Sequence, residues 1–145
     1  MPLPSNTTQQ APPRSILVVE DEELLSEAIK IKLEQAGYRV LTARTVDQAW
    51  DYLQEIGPVE TMWLDHYLPG RTGLELLQAI RQDPRFKNIA VYLVTNSIDP
   101  AIINTYLRLG IRQYYSKVLT RLEKIVSLIE AERQGYGAPP ESPLR

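Results

Sequence analysis

Ile16-Leu17-Val18-Val19-Glu20-Asp21-Glu22 is the stretch that decides how this chain folds. Its first four residues are apolar without the alternation of a half-exposed strand. They read as a strand buried on both faces, as in a parallel sheet covered by helices on either side. Three acids follow at once, so the strand ends where charge gathers. The pattern recurs downstream. Residues 59–64 form a third strand, close with Met62-Trp63-Leu64 and meet Asp65; Ile89 to Val94 forms a fourth and meets Thr95. Tyr38 to Ala43, with Arg39 and Thr42 interspersed, is a weaker strand suited to an edge, and residues 113–116 make a short fifth.

Helical patterns fill the gaps. Residues 23–36 have helical period and stop at Gly37. Thr45 with Gln48 predicts a capping box for a helix to about Ile56, which Gly57-Pro58 breaks. Thr72 with Glu75 opens another, through about Gln82. Asp99-Pro100 supplies an N-cap and a first-turn proline for a helix to about Leu109, before Gly110. Thr120 with Glu123 predicts a last capping box, and Leu122, Ile125, Val126 and Ile129 share one helix face. Five strands alternating with five helices define an α/β fold. Right-handed crossovers with short loops favour the flavodoxin-like three-layer arrangement, a five-stranded parallel sheet in the order 2-1-3-4-5.

Composition narrows the function. The 145 residues suit one domain, able to bury roughly 68–70% of its unfolded surface without a staple. The body is expected at residues 15–134, between flexible tails at 1–14 and 135–145 that are rich in Pro and polar residues. The second tail is too short for an output domain, so a stand-alone unit is expected. Sixteen Lys and Arg against eighteen Asp and Glu leave no basic excess, which argues against direct nucleic-acid binding. The absence of Cys excludes a disulfide scaffold and a thiolate zinc site, and the single His66 excludes a multi-histidine site. No apolar run approaches the ~18 residues of a membrane span, and residues 1–14 lack the apolar core of a secretory leader. The expected setting is the cytoplasm, with no membrane contact.

In such sheets ligands bind beyond the carboxyl ends of the strands, at the point where strand order reverses. Strand 1 ends in Glu20-Asp21-Glu22, strand 3 in Asp65, strand 4 in Thr95 and strand 5 in Lys117. The topology therefore gathers carboxylates, a hydroxyl and an ammonium on one rim. The oxygen set Glu20, Asp21 and Asp65 suits Mg²⁺, with Asp21 the first choice for direct ligation. Each residue also has a plainer reading: an acidic helix start, a solvated lysine, a strand threonine.

Four blocks, ILVVEDE at 16–22, WLDHYLPGRTGLELL at 63–77, LVTNS at 93–97 and GIRQYYSK at 110–117, resemble the signature blocks of bacterial response-regulator receiver domains. The resemblance covers nearly all of residues 15–134. It implies that Asp65 is the phosphoacceptor, attacking a phosphohistidine on a sensor histidine kinase or phosphotransfer protein. It implies Mg²⁺ held by Asp21 and Asp65, with Glu20 assisting and the Tyr67 carbonyl as a further ligand. Lys117 and Thr95 would hold phosphoryl oxygens. Tyr114 would turn inward with Thr95, switching a face of the fourth helix, fifth strand and fifth helix toward a downstream protein partner or a homodimer. No turnover of a separate substrate is implied. Leu68-Pro69-Gly70 and Gly73 match the turn after the acceptor and have a structural role.

Three positions depart from the family pattern. Val118 follows Lys117 where a proline preceded by a cis peptide is usual; a cis bond before a non-proline costs about 2.5–4 kcal/mol, which leaves this loop's shape open. Asn96 stands where a small residue is common, and Arg112 and Gln113 replace acids. His66 is expected to be an exposed loop residue. Two rivals remain: an interaction module of the same fold that works without phosphorylation, and an Asp-nucleophile hydrolase. The hydrolase would want a second Asp where Tyr67 stands.

Overall fold

The computed structural model describes residues 14–96 and 98–135. Strand β1 (Ser15–Val19) leads into helix α1 (Glu23–Gln35), then β2 (Arg39–Ala43), α2 (Val46–Ile56), β3 (Thr61–Leu64), α3 (Gly73–Gln82), β4 (Ala90–Thr95), α4 (Pro100–Arg108), β5 (Gln113–Ser116) and α5 (Leu122–Arg133). All strand pairs are parallel, in the order β2-β1-β3-β4-β5. This is the expected three-layer architecture, with β2 at an edge. Most of both predicted tails lies outside the described residues.

Strand residues alternate between two cores because successive side chains point to opposite faces. Leu17, Val19, Met62, Leu64, Val91 and Leu93 join Leu53 of α2, Leu77 of α3 and Tyr106 of α4. Ile16, Val18, Trp63, Tyr92 and Val94 join Ile29 and Leu33 of α1 with Ile125, Val126 and Ile129 of α5. The unbroken apolar runs are thus explained by helices on both sides. Among the described residues no helix is long and apolar enough to cross a membrane.

Helix ends show where local sequence governs and where it does not. Thr72 and Glu75 form the reciprocal box, and Asp99 accepts from the Ala101 N–H at 2.8 Å. Thr45 accepts from the Gln48 N–H at 3.0 Å, but the Gln48 side chain reaches the Arg44 N–H at 2.8 Å instead of closing the box. The box expected at Thr120 does not form. Helix α5 begins after Arg121 and has no side-chain cap. Ser116 intervenes: its Oγ accepts from the Val118 and Leu119 N–H groups, and its carbonyl from Thr120 N–H at 3.0 Å. That turn holds Thr120 in the loop. At the other end of the domain, Arg14, placed in the tail by composition, donates to the Ala36 carbonyl at 2.9 Å and pairs with Glu130.

Candidate functional site

The ladder of the sheet continues one residue beyond three strands and fixes the backbone of the rim. Glu20 N–H donates to Ala43 O at 3.0 Å, Asp65 N–H to Val19 O at 3.1 Å, and Lys117 N–H to Thr95 O at 2.9 Å. Residues up to 97 positions apart in sequence thereby meet. Lys117 Nζ lies 2.6 Å from Glu20 Oε1 and 2.8 Å from Asp65 Oδ2. The other Asp65 oxygen, Oδ1, accepts from the Thr95 hydroxyl at 2.5 Å and the Tyr67 N–H at 3.2 Å. Glu20 Oε2 accepts from the Glu22 N–H at 3.1 Å.

Asp21 completes the cluster from the solvent side. One carboxylate oxygen from each of Glu20, Asp21 and Asp65 lies within 4.8 Å of the others. Glu20 and Asp65 are 1% and 3% exposed, whereas Asp21 is exposed. An oxygen-only donor set of two buried carboxylates and one exposed fits a hard divalent cation. Burial lifts the Glu20 carboxyl above its ordinary pKa against the pull of Lys117. Burial also works against the Lys117 charge, but the hydrogen bonds to Asp65 and Glu20 outweigh it and hold the lysine pKa above its ordinary value.

The floor of the site is built by close approach. An added Cβ on Gly73 would lie 2.2 Å from the Asp65 carbonyl oxygen, so only glycine lets α3 start there. The Gly73 N–H donates to His66 O at 3.0 Å, tying the acidic loop to that helix.

Five predicted residues, Glu20, Asp21, Asp65, Thr95 and Lys117, therefore come together. Tyr67 contributes its backbone N–H, and its side chain is exposed. Tyr114 stands apart, half-buried against the same core as Ile102 and Leu107 of α4. The Lys117–Val118 peptide is trans, as is every peptide among the described residues. Asn96 is exposed, and the cap of α4 belongs to Asp99.

His66 corrects the sequence reading. It is 6% exposed, not a surface residue, and its Nδ1 lies 2.7 Å from the Tyr106 hydroxyl. Burial lowers its pKa, against the opposing charge of Asp65. A partner 40 residues away left no local signal. The inward face of Tyr106 was legible from its three-residue spacing to Ile103.

This fold and rim are those of a signalling domain. A model of the response regulator receiver domain matches residues 16–130, and the chain belongs to that family, the receivers of two-component systems. Among individual proteins it is similar to the chemotaxis protein CheY1 of Helicobacter pylori strain ATCC 700392 / 26695. The two are 32% identical over 106 residues, covering 72% of this chain and 86% of that protein. It is also similar to the phosphorylated cyanobacterial phytochrome response regulator RcpA (TM-score 0.77, 26% identity, 90% of this chain and 100% of that one). The Mn²⁺-bound response regulator Rcp1 gives a TM-score of 0.75 at 27% identity, covering 89% of this chain and 100% of that one.

Proposed function

We propose that this chain accepts a phosphoryl group on Asp65 from a histidine kinase or phosphotransfer protein, in a Mg²⁺-dependent reaction, and passes the signal to a protein partner. The observation that carries this reading is the division of labour at one buried carboxylate. Lys117 holds one Asp65 oxygen, Thr95 holds the other, and Glu20 and Asp21 stand beside them. The phosphorylated and Mn²⁺-bound states named for RcpA and Rcp1 support it.

An Asp65 oxygen attacks phosphorus, the P–N bond of the phosphohistidine breaks, and the imidazole leaves as an acyl phosphate forms. Asp21 and Asp65 would hold the cation, with Glu20 beside them and the Tyr67 carbonyl as a further ligand. When bound, Mg²⁺ supplies positive charge against the phosphoryl oxygens. The Lys117 ammonium, 2.8 Å from Asp65 Oδ2, supplies a second positive charge. The Thr95 hydroxyl exchanges its Asp65 oxygen for a phosphoryl oxygen. With it Tyr114 turns inward, which alters the face of α4, β5 and α5 that a downstream partner or a second copy of the chain reads. Leu24, Val118 and Leu119, exposed apolar residues flanking the rim in sequence, offer footing for the donor protein. On the same reading the chain acts in the cytoplasm.

Incubation with acetyl phosphate and Mg²⁺, followed by intact mass measurement, tests the assignment. The wild-type chain is expected to gain one phosphoryl group and Asp65→Asn none, since an amide is not an anionic nucleophile. Label retained in Asp65→Asn moves the acceptor elsewhere. A wild-type chain that takes no label favours the phosphorylation-independent interaction module.

A further inference from the structure

His66 and Tyr106 form a buried polar pair that the phosphoryl chemistry does not use. Tyr106 is fully buried on the inner face of α4, and its ring meets the His66 ring edge to face with centroids 5.6 Å apart. If this space needed only filling, two apolar side chains would do so without desolvating an imidazole and a phenol. A hydrogen bond between the two adds direction: it fixes one ring orientation and one position of the helix relative to the loop.

The backbone of His66 is tied as firmly as its side chain. Its N–H points at Thr95 Oγ1, 3.4 Å away, the same hydroxyl that donates to Asp65 Oδ1. Its carbonyl accepts from the first residue of α3. One residue is thus held at three points, by the end of β4, the start of α3 and the last turn of α4. A movement of the Thr95 hydroxyl removes or redirects the acceptor of the His66 N–H. The packed imidazole would hand such a displacement on to the Tyr106 hydroxyl, since close-packed interiors transmit small shifts instead of absorbing them.

We propose that the His66–Tyr106 hydrogen bond is a positioning link through which loading of Asp65 is felt at α4, separate from the path through Tyr114. This rests on the reading of Asp65 as the acceptor. The link enters α4 from the acidic loop, whereas Tyr114 acts from β5. Neither His66 nor Tyr106 side chain hydrogen-bonds to Glu20, Asp65 or Lys117.

Tyr106→Phe removes the hydroxyl and keeps the ring. The test compares ¹H–¹⁵N spectra of the full chain, wild type and variant, before and after beryllofluoride and Mg²⁺, beside acetyl phosphate labelling. The expected result is labelling within about twofold of wild type, retained shifts at Glu20 and Lys117, and shift changes over residues 100–108 reduced by half or more. A merely structural pair would lower the melting temperature and leave the α4 response per loaded molecule unchanged. An undiminished α4 response in the loaded variant overturns the link and leaves the acceptor assignment standing. A wild-type chain that neither labels nor responds to beryllofluoride overturns both. If Tyr106→Phe does not fold, the double variant His66→Leu/Tyr106→Phe, apolar on both sides, carries the same comparison.

Discussion

Lys117 stands where a divalent cation would compete with it. Its ammonium bridges Glu20 and Asp65 at 2.6 and 2.8 Å, so its removal leaves two buried carboxylates without their shared cation. Breaking one side of a buried ion pair costs about 3 kcal/mol. Lys117→Ala is therefore expected to be less stable without metal and to bind Mg²⁺ as well as wild type or more tightly. A tighter site gains more melting temperature from Mg²⁺ than wild type does, and an equal site gains the same, as linkage requires. Calorimetric titration and thermal melts with and without Mg²⁺ check this; a variant whose affinity falls tenfold would show that the lysine orders the carboxylates. Asn96 tests the mouth of the site. Because Asp99 caps α4, Asn96→Ala is expected to leave the melting temperature in place. It should quicken labelling by acetyl phosphate at constant Mg²⁺ affinity, and a tenfold gain needs only about 1.4 kcal/mol. Unchanged labelling rates would remove Asn96 from the path of the donor.

At the scale of elements, an arginine closes the joint between α3, β4 and α4. Arg81 donates to the carbonyls of Leu109 at 2.6 Å, Gly110 at 3.1 Å, Lys87 at 3.0 Å and Ile89 at 2.8 Å. These include the carbonyls just past the end of α4, which have no partner in the helix. Arg81→Ala is expected to cost roughly 1.5–3 kcal/mol, read from the urea midpoint, while labelling of Asp65 persists. Nothing in the sequence marks Arg81 for this task, since its acceptors are backbone atoms brought near by the fold. Elements whose cause is local were legible: Asp99-Pro100 starts α4, and Thr72 with Glu75 starts α3. Thr120 and Glu123 have the same local form and fail, because Ser116 captures the loop first. The rim was legible for the same reason as the strands, since apolar runs locate the strand ends and topology brings those ends together. His66 was not, because burial of a lone histidine depends on a partner from another element.

The whole molecule carries a pH response in its tyrosines. Burial lifts the hydroxyl pKa of Tyr38, Tyr92 and Tyr106 well above the ordinary value, and that of Tyr115 to about 12. Above the unfolded tyrosine value near pH 10 the unfolded chain has released protons that the folded chain retains. The unfolded state then binds fewer protons, so stability falls as pH rises through this window. Absorbance at 295 nm is expected to show these four of the eight tyrosines ionising only together with unfolding. Ionisation of all eight below pH 11 with the fold intact would contradict it. The molecule also has a back. Glu20, Asp21, Asp65, Thr95 and Lys117 gather at the carboxyl ends of the strands, and the helix-to-strand returns lie at the opposite rim. Two of those returns are braced, Gly37 by Arg14 and Gly110 by Arg81, while at Gly57 an added Cβ would meet nothing within 4 Å. A protein engineer would splice there: a reporter or affinity tag inserted between Gly57 and Pro58 rides behind the sheet as cargo, leaving the front free for docking.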